Sequence, residues 1–166
     1  MSVVTVSEFK EYLQGDPSDT SKDNLLQALI NGAEKNIEAK GLKLSATDIT
    51  NEKHDWASVL YTNFYPVNSI TNFTVDGISL SEGVDFFVYP DFIRVNISSN
   101  QLKSVIISYN AGFSVVPEDI KTAIKMLTAY DLKANDPIEP NTQSASDSRL
   151  MQRALEKLRN YLRMTG

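Results

Sequence analysis

Ser69-Ile70-Thr71-Asn72-Phe73-Thr74-Val75-Asp76-Gly77 is the stretch on which the fold turns. Its side chains alternate, with Thr71, Phe73 and Val75 on one face and Ile70, Asn72 and Thr74 on the other, the period of a β-strand. Asp76-Gly77 then supplies two residues that tolerate the positive φ of a type I′ turn, the tightest way to reverse a strand. Working outward, Val84–Tyr89, Phe92–Ile97 and Lys103–Tyr109 read as further strands, with Tyr89-Pro90-Asp91 and Ser98-Ser99-Asn100 as turns. About four short antiparallel strands are therefore expected within residues 44–112, where β-branched and aromatic residues concentrate.

On both sides the period changes to that of a helix. Thr5-Val6-Ser7-Glu8 fits a capping box, followed by Phe9, Tyr12 and Leu13 at helical spacing and stopped by Gly15 and Pro17. Thr20 with Asp23 can cap the next segment. There, Leu25, Leu26, Leu29, Ile30, Ala33 and Ile37 recur at steps of three and four until Gly41, so residues 21–40 read as an amphipathic helix. Pro117 suits a first helical position, and Ile120, Ala123, Ile124, Leu127 and Tyr130 form the stripe of a third helix reaching Ala134. Asn135–Ser148 is polar and reads as an exposed linker. A last helix over about 147–164 carries Leu150, Met151, Ala154, Leu155, Leu158, Tyr161 and Leu162. The expected fold class is α+β: a small bundle of about four helices with an antiparallel β region inserted between the second and third. One domain over residues 1–166 is expected, divided into 1–43 helical, 44–112 β-rich, 113–135 helix, 136–148 linker and 149–166 C-terminal helix.

The composition of the 166 residues excludes much chemistry. There is no cysteine, which removes thiolate catalysis, disulfides and thiolate metal sites, and one histidine, which removes two-histidine motifs. The longest apolar run is Phe86–Tyr89, far short of the roughly 20 residues a membrane span needs, and residues 1–5 show no leader pattern, so neither a span nor a signal peptide is expected. No two of the seven glycines are closer than six residues, which excludes GxGxxG and GxxxxGK phosphate loops. No aspartate has Asp or Asn two residues on, so an EF-hand loop is absent. Asn72-Phe73-Thr74 and Asn96-Ile97-Ser98 match glycosylation sequons by chance. A nucleophilic triad would have to use His54, whose neighbour Asp55 is too close in sequence to orient an imidazole. His54 reads as a surface or strand-edge residue. The pairs Glu8/Glu11 and Glu34/Glu38 read as solvated helix faces. No catalytic, cofactor or metal residues are expected.

Charge is more telling. From Arg149 onward Arg149, Arg153, Lys157, Arg159 and Arg163 face Glu156 alone, a balance of +4 inside a net −5, so the first 148 residues carry −9. Arg149, Arg153 and Lys157, four apart, form one ridge beside the apolar stripe of the last helix. Three uses fit such a ridge: a solvated face, a docking helix for an acidic protein, or a contact to nucleic-acid phosphate. A pI of about 4.9 argues against nucleic acid wrapping the whole surface.

Several ordered strings resemble the head-tail connector, or adaptor, family of tailed bacteriophages over about residues 3–134. They are the capped segment Val4-Thr5-Val6 with Glu8 and Leu13, then Leu25, Leu26, Ile30 and Ala33-Glu34-Lys35-Asn36-Ile37-Glu38 closed by Gly41. Tyr65-Pro66-Val67 with Ile70, Val75-Asp76-Gly77 and Gly83-Val84-Asp85-Phe86-Phe87-Val88 follow. Ser108-Tyr109-Asn110-Ala111-Gly112-Phe113 and Val116-Pro117-Glu118-Asp119-Ile120-Lys121, with Ala123 and Ile124, complete the set. Pro66, Asp76, Gly77, Gly112 and Pro117 are structural turn positions in this reading, and none is reactive.

The resemblance implies a structural virion protein of a tailed phage or prophage, not an enzyme and without a cofactor. It would form a ring, usually of twelve subunits, under the portal, extend the DNA channel and offer a platform to a tail or head-completion protein. Made in the bacterial host cytoplasm and monomeric in isolation or not, it would work at the head-tail junction, with genomic DNA passing without specific binding and no membrane involved. From charge and periodicity rather than the family strings, the last helix is the candidate portal-docking element. Arg149, Arg153, Lys157, Arg159 and Arg163 are its charged side, and Leu155, Leu158 and Leu162 its apolar one. The alternative is a small DNA-binding or regulatory module using the same basic helix.

Overall fold

The computed structural model describes residues 2–97, 104–134 and 145–162. It holds helices α1 (Val6–Tyr12), α2 (Asp23–Glu38), α3 (Glu118–Ala134) and α4 (Ala145–Arg159). Between α2 and α3 in the sequence lie strands β1 (Thr47–Asp55), β2 (Val59–Leu60), β3 (Val67–Val75), β4 (Ile78–Ser79), β5 (Phe86–Val88), β6 (Ile93–Val95) and β7 (Ser104–Ala111). Four helices with antiparallel sheets make the class α+β, as expected. The chain forms two compact units, Met1–Lys40 with Val116–Gly166, and Gly41–Val115.

In the helical unit, α1 starts as its sequence dictates. The Thr5 hydroxyl accepts from the Glu8 amide at 3.2 Å, and the Glu8 carboxylate accepts from the Thr5 amide at 2.7 Å, closing the capping box. The turn after α1 is tied down by Lys10, whose ammonium donates to the carbonyls of Pro17 (3.3 Å) and Asp19 (2.6 Å) and pairs with Asp23. The N-cap of α2 is Lys22 and makes no side-chain capping bond, so the cap expected from Thr20 is not used. Leu26, Ile30, Ala33 and Ile37 are the buried stripe, while Leu25, expected on it, is 47% exposed. Glu34, read as solvated, instead accepts from the amides of Val3 (2.7 Å) and Val4 (3.2 Å) and from the Ser2 hydroxyl (2.8 Å). That carboxylate pins the segment that buries Val4. Pro117 stands one residue before α3, and its carbonyl accepts from the Ile120 and Lys121 amides. Ile120, Ala123, Ile124, Thr128 and Ala129 are buried along α3, and α4 packs on it through Ala154 and Leu158.

The β unit is larger than the single small sheet expected. Among the described residues seven strands form a four-stranded sheet, in the order β1-β7-β3-β4, and a three-stranded sheet, in the order β2-β6-β5. Their inner faces share one core. Leu60, Phe86, Ile93 and Val95 come from the smaller sheet, and Val67, Phe73, Val75, Val105, Ile107, Tyr109 and Ala111 from the larger. The rings of Phe73 and Phe86 meet at 4.7 Å between centroids. The Asp76-Gly77 turn forms as read, with φ of 50° and 79° and Val75 paired to Ile78. Phe73 and Val75 are buried but Thr71 is not, because β3 is irregular between Ile70 and Asn72 and the alternation slips there. The unpredicted β1 is an edge strand with mostly polar, exposed side chains, and β2 and β4 have two residues each, too few to show a period.

The scaffold positions are fixed by close contacts. Pro66, in a cis peptide with Tyr65, immediately precedes β3, and its carbonyl accepts from the Gly112 amide at 2.9 Å. Gly112 has φ +115°, and a Cβ there would lie 2.2 Å from the Ser45 carbonyl oxygen, so no other residue fits without moving backbone.

Candidate functional site

The last helix begins earlier than expected, at Ala145, inside the stretch read as linker, whose residues 135–144 lie outside the described residues. Its length from Ala145 to Arg159 gives four turns. Arg149, Arg153 and Arg159 are exposed. Lys157, placed on the same ridge, is half-exposed and its ammonium lies 2.6 Å from the Asp119 carboxylate at the start of α3. Arg163 lies outside the described residues. On the apolar side, Leu158 is 2% exposed within the helical unit, Leu162 is half-buried and Leu155 is 43% exposed, beside Met151 at 38%. The structure thus divides the seven predicted residues it places. Leu158 and Lys157 hold α4 to its own unit, Arg149, Arg153, Arg159 and Leu155 are presented outward, and Leu162 is intermediate.

A second polar group was missed in the sequence. β1 bulges between Ile49 and Glu52, with Asn51 at φ 54° and its amide donating to the Ser108 hydroxyl at 3.0 Å. The extra residue brings Glu52, 8% exposed, onto the same face as Ile49. There the Tyr109 hydroxyl donates to its carboxylate at 2.6 Å, the Asn63 amide at 2.8 Å, and His54 Nε2 lies 2.6 Å away. Tyr109 in turn accepts from the Phe64 amide at 3.1 Å. Burial alone would raise the Glu52 carboxyl, but the hydrogen bonds from His54, Tyr109 and Asn63 outweigh it and hold it below its ordinary value. Burial first, and then the bond to Glu52, push the Tyr109 hydroxyl well up. Every polar group in this cluster is engaged by another, so it locks loop 61–65 to β1 and β7. His54 takes its place there on the edge strand of the larger sheet. Among the described residues no three His, Asp or Glu side chains gather as a metal site, and no helix is long and apolar enough to cross a membrane.

A chain with a two-sheet β unit between its second and third helices and its basic residues gathered on a terminal helix invites comparison with known proteins. The family model described as head completion protein matches residues 2–145. The chain belongs to the head completion protein family. Its membership bears out the connector resemblance and makes it a structural protein of the virion's head-tail junction. No curated protein matches its sequence. Among solved structures, the neck of an empty gene transfer agent (GTA) particle, computed with C6 symmetry, contains a chain with 19% identity and a TM-score of 0.58, covering 92% of this chain and 89% of that one. A chain of the native GTA virion has 18% identity and a TM-score of 0.59, covering 91% and 88%. One in the native neck, computed with C12 symmetry, has 18% identity and 0.57, covering 90% and 86%. At these identities the likeness is one of fold.

Proposed function

We propose that this head completion protein is a connector subunit that assembles into a cyclic ring, of twelve copies, between the portal and the tail-side proteins, with both of its units serving as one subunit around the DNA channel. The observation that carries this reading is the family match over residues 2–145, and the fold shared with GTA neck chains supports it. A ring needs two different surfaces on each subunit, which an asymmetric two-unit chain provides. The acidic balance of the first 148 residues suits a wall along which DNA slides instead of binding. The work is assembly, without a cofactor or a reactive side chain.

In this reading α4 docks on an acidic surface of the portal through Arg149, Arg153, Arg159 and Leu155. Removing the helix is a poor test, because Ala154 and Leu158 belong to the core of the helical unit. Replacing Arg149, Arg153 and Arg159 by glutamate leaves that core intact and reverses only exposed charge. Capture of the purified chain by immobilised portal rings is expected to fall sharply for the triple variant, and unchanged capture overturns the docking role. The alternative use of the ridge, phosphate binding, is read from a gel-shift titration with duplex DNA at low salt. A shift that weakens with salt supports it, and no shift removes it.

A further inference from the structure

The outer face of the three-stranded sheet is apolar. Opposite the buried Leu60, Phe86 and Ile93, β2, β6 and β5 present two rows of side chains to solvent. Val59, Arg94 and Phe87 are cross-strand partners in the first row. Tyr61, Phe92 and Tyr89, each one residue beyond its strand, make the second, Phe92 stacked on Tyr89 at 4.6 Å between centroids and tilted against Tyr61 at 6.3 Å. Phe87 is 41%, Tyr89 40% and Val59 37% exposed, although Phe87 and Val59 sit on strands, and Tyr89 one residue past β5, at positions that could carry a polar residue at no cost to the fold. A contiguous apolar face of this kind marks an interaction surface, and the residue types, tyrosine, phenylalanine and one central arginine, are those that dominate binding energy in interfaces. Arg94 is the only charge among the six.

We infer that this face is the ring contact: Arg94 and the aromatic side chains around it seat on a second copy of this chain, at the end of α1. The inference rests on the ring reading above and names the surface that closes the ring. A cyclic assembly joins two unlike surfaces head to tail, so the occupant must offer a different surface from the face itself. The end of α1 has the complementary character. Tyr12 and Leu13 are 37% and 42% exposed, an apolar pair that matches the aromatic rows, and Glu11, Asp16 and Asp19 beside them are exposed acids, opposite in charge to Arg94.

A photo-activatable benzophenone amino acid in place of Phe87, in the full chain within assembled particles, tests this. The side chain is surface-exposed, so folding is not at stake. Irradiation is expected to give chain-to-chain products whose crosslinked tryptic peptide is Glu11–Lys22. Crosslinks confined to another protein, crosslinks from β5 of one copy to β5 of the next, or none at all despite wild-type incorporation overturn the inference while leaving the ring reading standing. Absence of the wild-type chain from particles overturns both. In parallel, Arg94→Glu is expected to keep the wild-type thermal transition and to weaken ring closure about tenfold or more. Undiminished rings overturn the role of Arg94.

Discussion

Replacing Tyr109 by phenylalanine removes one oxygen from the middle of the β unit and nothing else, since the ring still fills its place in the core. The lost hydroxyl donates to the Glu52 carboxylate at 2.6 Å and accepts from the Phe64 amide at 3.1 Å. A hydrogen bond to a charged group contributes about 1.5–3 kcal/mol. A buried amide left without its partner costs about 1–3 kcal/mol, the lower end applying to half-buried Phe64. The expected destabilisation is therefore about 3 kcal/mol. With a urea slope of about 2 kcal/mol/M, the unfolding midpoint falls by about 1.5 M. Urea titration at neutral pH followed by far-UV circular dichroism reads it, and a double-mutant cycle with Glu52→Gln isolates the shared bond. A loss under about 1 kcal/mol, or additive single effects in the cycle, refutes the argument that this network holds loop 61–65 to the sheet.

The same carboxylate sets an acid limit: because Glu52 binds its proton less readily folded than unfolded, its contribution is full above the ordinary carboxyl range and drains away as pH falls through it, and Glu52→Gln should flatten that part of a stability-pH curve measured by urea midpoints. Tyr109 has the opposite sign, so stability should fall as pH climbs past the ordinary tyrosine value of about 10, and Tyr109→Phe should abolish that alkaline decline. On α4, Leu158→Ala should cost about 2–5 kcal/mol and Leu155→Ala about 0.5 kcal/mol or less, read as thermal melts, because only the first leaves a cavity against α3. Gly112→Ala should yield little soluble protein or cost about 3 kcal/mol, since its methyl meets the Ser45 carbonyl; a wild-type melt would contradict the close approach.

The helices and the hairpin were legible because their signals are local. Thr5 and Glu8 cap each other within one turn, Asp76-Gly77 needs only its own φ angles, and Leu26, Ile30, Ala33 and Ile37 show a period that no distant contact alters. What escaped depends on partners far along the chain. β1 reads as polar because it is an edge whose pairing with β7 supplies its order, and Glu52 looks like one more surface acid until the bulge turns it toward Tyr109, 57 residues away. Glu34 was misjudged for the same reason, its partners lying about 30 residues earlier. For the candidate docking helix, charge and amphipathicity identified the element but not its allocation. A helical stripe broad enough for two surfaces does not say which leucine faces α3, and Leu158, grouped with the docking side, turned out to be the buried one.

The irregularity in β1 has a consequence for how the chain tolerates change in length. Between Ile49 and Glu52 the strand spends three steps where β7 spends two, from Tyr109 to Ile107. Deleting Asn51 would leave Ile49 and Glu52 opposite the partners they already have, with the loss confined to one amide bond to Ser108. Deleting Lys53, past the bulge, would slide His54 and Asp55 to the wrong face. The short segment between Ile49 and Glu52 can thus absorb a lost residue with the carboxylate still in place, while positions beyond Glu52 cannot.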